Sequence, residues 1–590
     1  MSHFGPTIAG FRTVAEDMLA GARGAMLRFP VPSLAFLLLA IEVNLDINDH
    51  GLIAGRDLRL PLAGLACAAL AANLGGEARG HRGSWQAQAL AAAAGVAGFA
   101  ALFWDRALNT FEWPLLAGLA GLVLVGPFLG RGNSQAFWMF GVRLTFAVLL
   151  AGLALLLVAG GLSAIFASLT YLFGAEIPER AYEHVWATTG LFIAPLFGLG
   201  QIPADFDTEP DATAQAFMDR GVRSLGDYVA APLLLVYAVI LHAYALKIVL
   251  TGDVPEGQIG WLVLCYGGSV MAALIVIHPF LDTARAPTRF VARIWPLLLP
   301  VPLVLLAYAV ALRISEYGIT PERYLLALFG LVVAVILAVH IPKSLRGDIR
   351  YLVALPVLAL LAAGFGPQGA LATSIRSQLA RFEALVAHQP LAPGQHQEAL
   401  SALRFLLYND AVRRAAPRNM AVTSADGTPK PNERLFREIA AAYGIDPDLQ
   451  ITPTGAFSRS FSGTVARPVE DFDIVVPMVT LAQAGQSPMR LELPAGGGLT
   501  IALVETAVEI ARDEVPLRFK IPPAAIDNMA TMPMPEGEGE GESPVEPLVL
   551  EADGRRILVM PTFVHGEMTS PEPHLLTLSG TILLRERDWR

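Results

Sequence analysis

The stretch Phe137-Trp138-Met139-Phe140-Gly141-Val142-Arg143-Leu144-Thr145-Phe146-Ala147-Val148-Leu149-Leu150-Ala151-Gly152-Leu153-Ala154-Leu155-Leu156-Leu157-Val158-Ala159-Gly160-Gly161, continued by Leu162-Ser163-Ala164-Ile165-Phe166-Ala167-Ser168-Leu169-Thr170-Tyr171-Leu172-Phe173, decides how this chain folds. It is apolar almost throughout. A helix rises 1.5 Å per residue, so roughly 20 apolar residues cover the hydrocarbon of a bilayer, and this run has about 37. Gly160-Gly161 marks a break within it. The piece from Leu162 to Phe173 is too short to cross comfortably and carries Ser163, Ser168 and Thr170. The pattern predicts one crossing over 137–161, followed by an interfacial helix.

Applied outward, the same ruler finds spans near 31–47, 60–76, 86–104, 114–130, 184–203, 227–249, 258–281, 291–312, 322–341 and 350–371, about eleven with the first. The predicted fold is mainly α, a polytopic transmembrane helical bundle followed by a smaller extramembrane α+β domain. Residues 1–30 read as a cytoplasmic N-terminal segment, 31–373 as the transmembrane domain, 374–448 as an amphipathic and helical linker, and 449–590 as a β-rich soluble domain. Arg12, Arg23 and Arg28 precede the apolar run that begins near Val31, as in a secretory signal. No small-x-small cleavage site follows, which predicts an uncleaved first span.

The composition supports two regimes in one polypeptide. Hydrophobic residues make up 54% and charged residues 16% of the 590, with a mean hydropathy of +0.51, and the excess lies between Val31 and Leu371. A net charge of -10 without a basic cluster excludes a nucleic-acid partner. Cys67 and Cys265 are far apart in apolar runs, which suggests neither a disulfide framework nor a thiolate metal site. No cofactor or metal is expected.

Orientation follows from Lys and Arg, which are retained on the cytoplasmic side of short loops. With the N-terminus inside, the inner segments hold Arg12, Arg23, Arg28, Arg79, Arg82, Arg131, Arg220, Arg223, Arg285, Arg289, Arg293, Lys343, Arg346 and Arg350. The outer loops hold fewer: Arg56, Arg59, Arg106, Arg180, Lys247, Arg313 and Arg323. An odd span count then exports the C-terminal domain to the periplasm of a bacterial inner-membrane protein.

Several motifs stand in order along the apolar region. They are Tyr237-Ala238-Val239-Ile240-Leu241-His242-Ala243-Tyr244-Ala245-Leu246-Lys247, then Leu250-Thr251-Gly252-Asp253-Val254-Pro255 with Gly257 and Trp261-Leu262-Val263. Next come Arg313-Ile314-Ser315-Glu316-Tyr317-Gly318-Ile319-Thr320-Pro321-Glu322-Arg323-Tyr324 and Phe365-Gly366-Pro367, with Ser374, Ser377-Gln378 and Arg381. In these residues the chain resembles the bacterial family called domain of unknown function 4153, from about the first span to Arg381. The resemblance implies a multi-pass membrane architecture and carries no reaction with it.

Titratable groups inside a bilayer are expensive, so each is a functional lead. Glu42, Asp46 and His50 are spaced by four and predict an acidic stripe on one helical face, able to admit a cation or proton, with a helix end fraying into a polar loop as the alternative. Tyr237 and Tyr244 share a face of the seventh span, with Lys247 at its outer end as an anchor or an anion site. His242, His278 and His340 fall at different predicted depths, which argues against one shared site. Arg313 and Arg323 are candidates for phospholipid headgroups. Between them Gly318 supplies a left-handed turn, Thr320 a cap and Pro321 the first position of the next helix.

Beyond the last span, Leu371, Ile375, Leu379, Phe382 and Val386 fall at helical spacing with Arg376, Gln378 and Arg381 on other faces, predicting an amphipathic helix on the membrane surface. Helices follow over Gln397–Arg414 and Asn432–Tyr443. Strands are expected at Phe472–Pro477, Leu491–Leu493, Leu517–Ile521 and Leu575–Leu584, with a hairpin at Asp553-Gly554. A disordered acidic loop is expected near 535–546. No nucleophile elbow, zincin pair or phosphate-binding glycine loop is present in this region. The expected function is transport or handling of a solute, ion or lipid in the bilayer. The alternatives are a non-enzymatic envelope scaffold whose C-terminal domain binds a protein partner, and a membrane enzyme acting on a lipid-linked substrate near Lys247, Arg313 and Arg323.

Overall fold

The computed structural model describes residues 21–53, 56–206, 221–251, 259–342, 347–387, 391, 393–424, 428–447, 456–461, 469, 471–482, 489–493, 498–512, 515–531, 546–567 and 574–589. Arg12, Arg220, Lys343 and Arg346 of the orientation count lie outside the described residues, as do Gly252, Asp253, Val254, Pro255 and Gly257 of the motifs and residues 535–545 of the acidic loop. The chain divides into two compact units, Met1–Pro447 and Asp448–Arg590.

The first unit is helical. After a short helix Gly21–Arg28, a bend of 109° leads into α1 (Pro30–Asp46). Then come α2 (Arg59–Ala78), α3 (Trp85–Phe103), α4 (Glu112–Val125) and α5 (Ser134–Phe173). Helix α6 (Glu179–Thr188) passes through a π-helical turn at Thr189–Ile193 into α7 (Ala194–Gln201). Helices α8 (Ala231–Thr251), α9 (Ile259–Ile277), α10 (Ala286–Leu298), α11 (Pro300–Tyr317), α12 (Pro321–Val339) and α13 (Arg350–Gly364) complete the apolar region. The helices α14 (Ala370–Val386), α15 (Pro393–Tyr408) and α16 (Asn432–Ala442) follow.

Among the described residues, seven helical segments are long and apolar enough to cross a membrane, or eight if the bent pair at Arg28 counts as one. Two shorter apolar segments, Glu112–Phe128 and Arg350–Gly364, stand beside them. Helices α1 to α5 alternate between two ends of the bundle. At one end Arg28 Nη2 donates to Glu77 at 2.6 Å, Arg79 Nη2 donates to the Leu129 carbonyl at 2.9 Å, and Arg350 Nη1 donates to the Arg131 carbonyl at 2.8 Å. At the other end Asp46 pairs with Arg59, Arg180 donates to Asp49 at 3.0 Å, and the Phe111 amide donates to the Gly364 carbonyl at 2.7 Å.

Two expectations are corrected. No break occurs at Gly160-Gly161, and no separate interfacial helix follows it: α5 runs uninterrupted for 40 residues, about 60 Å at 1.5 Å per residue. A glycine inside a helix costs only about 1 kcal/mol, less than exposing unpaired backbone groups to hydrocarbon. The true stop is Gly174, at φ 65, just past the apolar run. The last apolar helix ends at Gly364 rather than near 371, because Phe365 is extended and Gly366 turns at φ 87 ahead of Pro367.

Small residues set the tightest packing. A Cβ on Gly98 would lie 2.8 Å from the Gly64 carbonyl oxygen, so α2 and α3 touch backbone to backbone. Such approach is a main source of helix association where lipid removes the hydrophobic drive.

The second unit is built of antiparallel sheets. Strands β1 (Ala456–Ser460), β2 (Ile474–Ala482), β8 (Arg555–Glu567) and β9 (His574–Leu584) run in the order β1-β8-β9-β2, with β7 (Leu548–Ala552) also on β8. Strands β3 (Met489–Glu492), β4 (Gly498–Val504), β5 (Ala507–Arg512) and β6 (Val515–Lys520) form a meander. One core containing Ile501, Phe519, Ile557, Val564 and Trp589 joins the two sheets, and α17 (Pro523–Thr531) adds Ile526 and Met529 to it. Asp553 and Gly554, at φ 48 and 77, make the β7–β8 turn that only such residues adopt readily.

Candidate functional site

The turn between α11 and α12 is the meeting point of the dispersed motifs. Tyr317 ends α11, Gly318 adopts φ 71, and Pro321 opens α12. Thr320 holds the N-cap position, yet its side chain makes no capping hydrogen bond. The turn is fastened from α14 instead. Gln378 Nε2 donates to the carbonyls of Tyr317 at 2.9 Å and Ile319 at 3.1 Å, and the Ile319 amide donates to Ser377 Oγ at 2.9 Å. The Tyr324 hydroxyl donates to the Gln368 carbonyl at 2.7 Å, and Gln368 Nε2 donates to the Phe365 carbonyl at 2.9 Å.

This corrects the expected place of Gln378, which joins the apolar face of α14 instead of another one. Gln378 is 3% exposed and lies on the buried side with Ser374, Ile375 and Phe382, while Arg381 pairs with Glu398 at 2.8 Å. A buried amide is tolerated because its N–H groups are bonded. Ser377 and Gln378 stand among the motif residues, but sequence reasoning gave them no role in the turn. Their signal was a polar run, Ser374, Ser377 and Gln378, at spacings that share one helical face.

Below this turn lies a cavity of about 920 Å³ between α9, α11, α12 and α13. Its walls are apolar, with Leu264, Phe329 and Leu360 among them, and Arg313, Glu316, Tyr317, Glu322 and Arg323 stand at its mouth. Arg323 Nη1 donates to the Gly318 carbonyl at 2.8 Å, and its guanidinium sits 5.4 Å from the Tyr317 ring centre. Among the described residues neither Arg313 nor Arg323 forms an ion pair with a carboxylate, and the two guanidiniums repel each other. Two cations with spare donors, beside Glu316 and Glu322, give an apolar chamber a charged rim that suits an amphiphile with a phosphate in its head.

The other sequence candidates are not brought together here. Glu42 is 3% exposed and its Oε2 accepts from the Leu52 amide at 2.8 Å, fastening the loop after α1. Helix α1 ends at Asp46, so His50 leaves the expected stripe and its Nδ1 faces the Asn48 carbonyl at 2.5 Å. The polar contact at this end is made by Asn44, whose Oδ1 lies 2.7 Å from His184 Nδ1 and whose Nδ2 donates to Thr188 at 3.0 Å. Tyr237 stacks on Tyr266 in the main core, Tyr244 packs in a smaller cluster with Leu305 and Leu306, and Lys247 is exposed. His242 and His340 each turn Nδ1 to a carbonyl of their own helix, at 2.7 and 2.8 Å. No group of three or more His, Cys, Asp or Glu able to hold a metal occurs among the described residues.

The family model described as Domain of unknown function (DUF4153) matches residues 52–384, more than half of the chain. The chain belongs to this family. The DUF4153 match contains both the cavity and the motif junction, and it stops before the strand-rich unit that begins at Asp448. With its apolar helices, this DUF4153 member is a membrane protein. No curated protein and no solved structure matches it.

Proposed function

We propose that this DUF4153 protein binds and handles anionic phospholipid in the bacterial inner membrane. The observation that carries the reading is the apolar cavity of about 920 Å³ with Arg313 and Arg323 at its mouth, neither of them in a close ion pair with a carboxylate among the described residues. Acyl chains fill the chamber and the phosphate takes the guanidinium donors, as planar, doubly donating groups prefer.

The topology that accompanies this reading has about eleven spans, a cytoplasmic N-terminus and a periplasmic C-terminal unit. The alternation of helix ends and the gathering of Arg28, Arg79, Arg131 and Arg350 at one end support it. The C-terminal unit then serves as a module for an envelope protein, and strand β2, with Val475 and Met478 exposed, offers an edge for it. A phosphatase fusion at the C-terminus is expected to be active, and an inactive one beside a fluorescent cytoplasmic reporter would reverse the topology.

The lipid reading is tested by native mass spectrometry of the purified full chain titrated with phosphatidylglycerol and phosphatidylcholine. Replacing Arg313 and Arg323 by Ala is expected to weaken phosphatidylglycerol retention about tenfold or more, since each lost charged hydrogen bond is worth about 1.5–3 kcal/mol. Equal retention by the double variant would sink the reading.

A further inference from the structure

A second chamber, of about 970 Å³, lies between α2, α3 and α4, with Leu361 and Phe365 from the end of α13 at its edge. Ala72, Gly76, Ala94 and Ala97 open it by their small size. Its polar mouth is formed by Arg79, His81 and Gln86 where α2 turns into α3. Arg79 is clamped over that mouth, with Nη1 donating to the Gly75 carbonyl at 2.7 Å and Nη2 to the Leu129 carbonyl at 2.9 Å. A guanidinium has five N–H donors, so others remain. Glu77, the acid closest in sequence, is occupied: Arg28 donates to both of its oxygens at 2.6–3.2 Å, and Arg82 stands 4.0 Å away. Arg79 itself forms no ion pair with a carboxylate among the described residues, which leaves the mouth cationic.

The two mouths lie at opposite ends of the bundle. Arg79 reaches the residue following α4 and its terminal turn, whereas the start of α4 meets the end of α13 through the Phe111–Gly364 hydrogen bond. That end of α13 leads to Gln368, whose carbonyl accepts from Tyr324 beside the Arg313–Arg323 mouth. Helix α13 walls both chambers, the first with Leu352, Pro356, Ala359 and Leu360, the second with Leu361.

We infer that the second chamber is a phospholipid site of its own, taking an anionic phospholipid from the leaflet opposite to the one that serves the Arg313–Arg323 chamber. Its assignment stands on Arg79 and the α2–α4 chamber alone, and only the pairing of leaflets rests on the proposed function. The charge of the mouth favours this occupant over a helix of a second copy. An apolar helix in the groove would bury the remaining Arg79 donors without partners, whereas a phosphate satisfies them.

The test is native mass spectrometry of the full chain with phosphatidylglycerol, with phosphatidylcholine as the zwitterionic competitor of zero net charge. Wild type is expected to retain two phosphatidylglycerol molecules. Arg79→Ala should weaken one of them about tenfold, Arg79→Lys should restore part of that loss, and Ala94→Trp should remove the same lipid by filling the chamber. Two lipids retained unchanged by Arg79→Ala and by Ala94→Trp would overturn the inference. So would a dimer that Ala94→Trp dissociates while lipid retention stays the same. If the Arg313/Arg323 double variant keeps its lipid but Arg79→Ala loses one, the proposed function fails and this site stands.

Discussion

The α2–α3 and α11–α12 pairs are both antiparallel helix pairs joined by short turns, but they solve packing in opposite ways. The first brings Gly64 and Gly98 so close that no Cβ fits between the backbones. The second carries bulky residues such as Leu306 and Phe329 and leaves a chamber beside it. Even a glycine in that region, Gly268, has nothing within 4 Å of where its Cβ would be. In a bilayer, neighbouring helices are not squeezed together by water, so contact must come from shape. At Gly64 and Gly98 small residues produce a closed seam between two backbones, whereas the bulky residues of α11 and α12 hold their neighbours off, and the small side chains of α2 and α3 that face α4 leave room as well.

The largest effect should come from forcing the seam apart. Gly98→Leu places a side chain against the Gly64 backbone and is expected to cost about 3 kcal/mol or more, with loss of folded protein after detergent extraction. Gly268→Leu, the matching change at the open chamber, should fold normally and occlude lipid. The comparison breaks if thermal unfolding in detergent shows the two variants equally destabilised.

Next in size is the fastening of the Gly318 turn. Gln378→Ala leaves the Tyr317 and Ile319 carbonyls without their donor, at a cost of about 2 kcal/mol. Because the turn carries the Arg313–Arg323 mouth, the variant should lower the unfolding midpoint and weaken phosphatidylglycerol retention together. A lower midpoint with unchanged retention would separate the turn from the site.

Much of the helical frame was readable in advance, and the reasons are local. Apolar length alone marks α2, α3, α5, α8, α9 and α12, since a chain in hydrocarbon has few alternatives to helix. The turn at Gly318 was readable for the same reason, from residue types that permit it. The failures are tertiary. Gly160-Gly161 looks like a break only if water is assumed to compete for the backbone, and on α5 the apolar surroundings remove that competition. Gln378 looks like a solvent-facing residue until the loop that needs its donors is seen to lie against α14. Arg313 and Arg323 can be picked out as charges at helix ends, but the chamber below them depends on which helices are neighbours, and no short-range pattern encodes that.

The smallest expected effect concerns α13, the wall shared by the two chambers. Its first turn is tied down by Asp348, which accepts from Arg350 Nε at 2.9 Å and Nη2 at 2.6 Å and from Ser134 Oγ at 3.1 Å, while Arg350 Nη1 reaches the Gly132 carbonyl at 2.7 Å. Burial pushes the Asp348 carboxyl up, but the hydrogen bonds and charge of Arg350, with Ser134, outweigh it and hold the group below its ordinary value of 3.8. A carboxyl lowered in the folded state stabilises fully above its unfolded value, and the contribution is lost as pH falls through the folded one. Asp348→Asn should therefore lower stability at neutral pH by about 1 kcal/mol. The gap to wild type should stay constant down to about pH 5 and close only in stronger acid, as both carboxyl states become protonated. Unfolding midpoints measured across that range decide it. A gap that closes already between pH 7 and pH 5 would assign the tie to a group that titrates there and not to Asp348.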